Sequence, residues 1–133
     1  MGAWDNGPFD NDEAADFIED LAQAPDWRTV TRILEHVTKA AGYLEAPEGE
    51  MAVAAAAIVA ACAGDVAVLP EDQHGLKDAL GAPPEGLVRL ARAALARVVA
   101  PASEIDELWQ EGDAHDAWLT HIAGLQTILS ASQ

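Results

Sequence analysis

Basic residues are what this sequence most lacks: 7 Lys and Arg stand against 23 Asp and Glu, a formal net charge of −16 at pH 7. That balance favours solubility and argues against non-specific attraction to nucleic acid or to anionic membranes. It leaves a basic protein partner or a cation as the charge-complementary ligands, beside the plain reading of a solvated acidic surface. Cysteine is nearly absent. Cys62 is alone, so no internal disulfide can form, and a reducing cytoplasmic setting is the expectation. No basic-then-apolar leader opens the chain, so no signal peptide is expected. Met1-Gly2 begins a myristoylation pattern, but Asn6 stands where Ser or Thr is wanted. The apolar run over residues 51–63 is shorter than the roughly 20 residues of a membrane span, so no membrane is expected.

Motifs for chemistry are missing too. There is no Gly-x-Ser-x-Gly, no phosphate loop and no dinucleotide glycine pattern. Among the histidines His36, His74, His115 and His121, the last two are six apart, which puts them on different faces of one helix. Glu71-x-x-His74 is half of a di-iron motif without its second half. Scattered surface histidines are the expectation, with no transition metal and no cofactor. Asp10, Asp12 and Asp16 do not follow calcium-loop spacing. Cys62 sits in an apolar helix, where a thiol is inert packing. Catalysis has no specific support.

Helices are there in number. The composition is 50% hydrophobic and 23% charged, which argues against disorder, and 133 residues suit one helical domain over 1–133. Pro25 stops a first helix begun near Asp10. Asp26 caps a second that runs to about Ala41, with Trp27, Val30, Leu34, Val37 and Ala41 on its apolar face. Pro47 and Gly49 mark a loop over residues 43–49. Residues 51–63 are apolar all round, nearly all Ala and Val, and predict a central buried helix that others approach closely. Residues 66–69 read as an extended piece or a helical turn. A short helix around residues 71–80 is weakened by Gly75. Pro84 opens a helix to Val99 with a Leu87, Ala91, Ala94, Val98 stripe. Ser103 and Asp106 have capping-box spacing. Trp118, Ile122, Leu125 and Leu129 recur at helical intervals after an interruption at Gly112-Asp113. The architecture expected is all-α: a compact bundle of about five to seven helices around a central Ala-rich helix.

The N-terminal stretch is the most specified part of the chain. Gly7-Pro8 is a turn signal, Asp10 and Glu13 have capping-box spacing, and Phe9 holds the staple position toward Ala14. Trp4 and Phe9 are expected to pack against the helices. The pattern Gly2-Ala3-Trp4-x-x-Gly7-Pro8-Phe9-Asp10-Asn11-Asp12, with Ala14, Asp16 and Phe17 behind it, resembles the opening of a family of small bacterial proteins catalogued as a domain of unknown function, DUF4259. Residues 103–109 and Trp118 resemble that family's C-terminal part, so the likeness covers most of the chain. Gly is usual in the family where this chain has Asp5; Asp tolerates a positive φ better than most residues. The resemblance implies fold relatives in bacteria and carries no activity.

Three functions remain open. The first is a non-catalytic acidic binding protein that neutralises or regulates a basic protein partner, through Asp12, Asp16 and Asp20 on one helix face. These repel each other, and Asp20 opposes the helix dipole. The second is an enzyme, small-ligand or cation binder with a site at Asp5, Asn6 and Asp10. The third is a self-associating module, so monomer and homodimer both stay open. Arg89, Arg92 and Arg97 form a local basic strip that can hold an anionic ligand. Pairing with Glu104, Asp106 and Glu107 is the simpler expectation.

Overall fold

A computed structural model describes residues 7–132. It has seven α-helices: α1 (Asp12–Gln23), α2 (Trp27–Thr38), α3 (Ala46–Ala63), α4 (Leu76–Leu80), α5 (Leu87–Val98), α6 (Glu104–Gln110) and α7 (His115–Ala131). Single 3₁₀ turns cover Val66–Val68 and Glu71–Gln73. Helix makes up 71% of the structure, about twice the globular average, and no strand occurs among the described residues. The fold is the expected all-α bundle.

α3 is the centre. It touches each of the other six α-helices, and every residue from 52 to 62 is buried. Alanine explains this. A helix with methyl side chains is thin, so neighbours can close on it from all sides without leaving voids. The Cys62 thiol is buried within it, and burial pushes its pKa up to about 11, consistent with inert packing. Around α3, α2 buries Val30, Leu34 and Val37; α5 buries Leu87, Ala91, Ala94, Leu95 and Val98; α7 buries Trp118, Ile122, Leu125 and Leu129.

α3 starts earlier than the sequence suggests. Pro47 and Gly49 belong to its first turns, not to a loop. Proline at a helix start loses no hydrogen bond. Glu48 reaches back to accept from the Glu45 N–H (3.4 Å), and Glu104 of α6 accepts from the Ala46 N–H (2.7 Å). Gly49 is required by packing, because a Cβ there would lie 2.7 Å from Ile105 Cγ2. At 18 residues, α3 is long and apolar enough to cross a membrane by length and composition alone, and 72% of it is buried inside the bundle.

Three other boundaries also differ. α1 begins at Asp12 because Asn11 is the cap: its Oδ1 accepts from the Ala14 N–H at 2.8 Å. α2 ends at Thr38, well before Gly42. α5 begins at Leu87, since Gly86 takes φ +85 and Pro84 only accepts a turn bond from the Leu87 N–H. Residues 66–69 contain a helical turn, and Gly75 separates a 3₁₀ turn from α4.

Candidate functional site

The N-terminal turn carries the site. Asp10 does not cap α1. Its Oδ2 accepts from the Gly7 N–H at 3.0 Å, while its own N–H donates to the Gly7 carbonyl at 3.2 Å. A Cβ at position 7 would meet the Asp10 carboxylate at 2.5 Å, so any larger residue would push that carboxylate aside. Asn11 next to it is then free to start the helix. Phe9 is half-buried against the core. Trp4, Asp5 and Asn6 lie outside the described residues.

Opposite this turn stand α6 and α7. A short backbone bridge sets α6: the Leu44 N–H donates to the Ala102 carbonyl and the Glu104 N–H to the Leu44 carbonyl, both at 2.8 Å. Ser103 makes no side-chain cap, and Asp106 has a different role from the one its spacing predicts. Asp106 is 9% exposed and accepts from Gln110 Nε2 (2.7 Å), and its Oδ1 lies 2.9 Å from His115 Nε2. Gly112-Asp113 is a break in the helix, and this contact closes it. Trp118 lies 6.1 Å from Trp109 with near-parallel rings, and His115 packs 6.1 Å from Trp118. Trp118 is buried and Trp109 half-buried.

Between turn and helices lies a cleft of about 210 Å³, lined by Gly7, Pro8, Asp10, Asn11, Glu50, Val53, Ile105, Trp109 and Trp118. Glu50 is its most perturbed acid. Burial raises its pKa first, and the negative charges of Glu13, Asp12 and Glu104 raise it further. Glu50 has no hydrogen-bond or ion-pair partner among the described residues. A wider, mainly apolar groove of about 520 Å³ lies along the same turn, toward residues 67–70 and α7. His121 and Asp10 are its only ionisable lining residues among the described residues.

The other residues singled out by the sequence are dispersed. Asp12, Asp16 and Asp20 are all exposed and four apart, so they share one face of α1, and none has an ion-pair partner among the described residues. Asp20 borders a groove that Arg32 also lines. Arg89 is exposed, and Arg92 lies by α7 beside Gln126. Arg97 turns the other way and donates to the carbonyls of Ala40, Gly42, Pro101 and Ala102, so it holds loops together instead of pairing with Glu104, Asp106 or Glu107. The histidines are not uniformly loose on the surface: His36 contacts Glu48, His74 Nε2 lies 3.1 Å from the Leu69 carbonyl, and His115 holds Asp106. No three His, Cys, Asp or Glu converge as metal ligands among the described residues.

The fold and this cleft define a small acidic all-α bundle with an acid- and tryptophan-lined recess at one end of its core helix. The family model for a domain of unknown function, DUF4259, matches residues 2–121, and the chain belongs to that family. The match spans the N-terminal turn, α3, α6 and the start of α7, and so all the residues lining the cleft. No curated protein and no solved structure matches the chain.

Proposed function

We propose that this protein is a non-catalytic, cytoplasmic binding protein whose acidic surface docks a basic protein partner and thereby neutralises or regulates it. One observation supports this above the others: Asp12, Asp16 and Asp20 are exposed in a row with no ion-pair partner among the described residues. Glu13 and Glu19 extend the same exposed helix. Like charges at this spacing disfavour their own helix, and a basic surface would relieve that repulsion. Electrostatic complementarity of this kind acts mainly on association rate and partner choice.

The test captures basic proteins from native lysate at low salt, then compares the parent with a variant carrying Asp12→Asn, Asp16→Asn and Asp20→Asn together. Docking through the stripe requires weaker affinity and a flatter salt dependence of the association rate in the variant. Equal affinity at low and moderate salt would reduce the stripe to solvated surface. A second reading, a small-ligand or cation binder at the N-terminal loop, draws support from the cleft beside Asp10.

A further inference from the structure

We propose that the cleft between the Gly7–Asn11 turn and the Trp109–Trp118 pair is the socket for one arginine or lysine side chain of that basic partner. This rests on the binding reading above and gives it a defined anchor point.

The cleft's chemistry selects a cation with an apolar stem. Its walls, Val53, Ile105 and Pro8, suit methylenes, and no Lys or Arg lines it among the described residues. Trp109 and Trp118 supply aromatic surface, and tryptophan is the best π partner for a guanidinium or ammonium. Glu50 supplies the charge. It is a half-buried carboxylate without a partner among the described residues, crowded by Glu13, Asp12 and Glu104. Among the described residues Asp10 is the other acid on the wall and its Oδ2 is engaged by the Gly7 N–H, so Glu50 is the carboxylate with neither oxygen engaged. A neutral ligand would leave Glu50 half-desolvated and uncompensated. An anion would be repelled by every ionisable group facing the space. A bound cation would lower the proton affinity that burial and the neighbouring acids raise. The recess is also about the size of one side chain, not of a folded segment. Buried anchors of this sort carry most of an interface's energy while the charged rim sets encounter rate. The α1 stripe would be that rim.

The experiment titrates the full-length protein with a short acetylated and amidated Gly-Arg-Gly peptide, and with the same peptide carrying neutral citrulline for arginine. Tryptophan emission and amide shifts are read. The arginine peptide is expected to give saturable changes at Trp109 and Glu50, and the citrulline peptide none. Glu50→Gln and Trp109→Leu are expected to weaken binding about tenfold each, the scale of a partly desolvated cation–π or charge-assisted contact. Binding should also fade as pH drops through Glu50's raised range. The triple Asp→Asn variant of α1 should change the peptide's affinity by no more than about twofold, because one side chain does not span the stripe. Peptide binding lost in the triple variant but kept in Glu50→Gln would overturn the socket and leave the stripe standing. Binding lost in Glu50→Gln and kept in the triple variant is the result the socket requires, and the stripe is then judged by the partner titration alone. No binding in the parent, or binding that appears only in Trp4→Ala, would also overturn the socket, the latter by assigning the cleft to the chain's own first residues.

Discussion

Arg97 donates from Nη2 to the Gly42 carbonyl at 2.6 Å, a hydrogen bond across 55 residues that ties the end of α5 to the loop entering α3. The same guanidinium reaches Ala102 at 3.3 Å and Pro101 at 3.4 Å. These carbonyls sit in loops that have no helix of their own to satisfy them, and a planar fork serves several at once. Arg97→Met keeps the apolar stem and removes the fork. We expect a loss of about 1–2 kcal/mol in chemical denaturation, below the full worth of charged hydrogen bonds because the site is partly exposed. Arg97→Lys should recover less than half of it.

Ala102 is held by that network at φ +65, the one positive φ among the described non-glycine residues. Its carbonyl accepts from both Leu44 and Arg97. The left-handed conformation costs an L-residue about 1–2 kcal/mol, and glycine's extra unfolded-state entropy returns part of that. Ala102→Gly should therefore be more stable by about 0.5–1 kcal/mol. A lower melting temperature would show that the Ala102 methyl contributes packing that outweighs the strain.

At the N-terminus, Asn11 and Asp10 divide the work between them. Asn11→Ala removes the α1 cap bond to Ala14 and should cost about 1 kcal/mol. Asp10→Asn should leave helix content unchanged, since its bond is to Gly7, outside the helix. Circular dichroism and amide exchange in residues 12–15 separate the two effects.

This division also marks what the sequence could reveal. Apolar periodicity identified the α7 stripe residue by residue and the α5 stripe apart from Leu95, and the all-round apolarity of residues 51–63 placed α3 at the centre. Those signals come from burial, which is set by side-chain type. Which of two adjacent Asx residues caps a helix depends on the turn before it, and a one-residue difference in spacing cannot show that. Pro47 and Gly49 suit a loop and a first turn equally. What decides is the contact with Ile105, more than fifty residues away. The Asp106–His115 pair was hidden because its members are nine apart across a helix break. Arg97 departs from its expected acid pairing because its partners are backbone carbonyls, which every residue carries and no spacing marks.

Gly49 tests that long-range contact directly. A Cβ at 2.7 Å from Ile105 Cγ2 forces a buried side chain on α6 to move. Gly49→Ala gains helix propensity of about 1 kcal/mol and meets an overpacking cost of about 1–3 kcal/mol. We expect a net loss, and a recovery over Gly49→Ala alone when Ile105→Leu is added, because leucine has no Cγ2 branch and gives the new Cβ room. If the double variant is no more stable than Gly49→Ala alone, α6 does not set the choice of glycine.

Glu50 gives the prediction that joins stability to function. In the folded chain its carboxyl binds a proton more tightly than in the unfolded one, through burial and the charges of Glu13, Asp12 and Glu104. The native state is therefore penalised while Glu50 is ionised. The penalty is full above the raised pKa and gone below the ordinary value of 4.5. Glu50→Gln removes it, so the variant should melt higher than the parent at pH 7. The advantage should shrink as pH falls through the raised range and vanish near 4.5. A Glu50→Gln protein that melts lower at pH 7 would mean that the carboxylate makes a stabilising contact in the free protein. An advantage at pH 7 that disappears when the arginine peptide is present would tie the same carboxylate to the cation: the group that weakens the isolated fold would be the one that holds the partner.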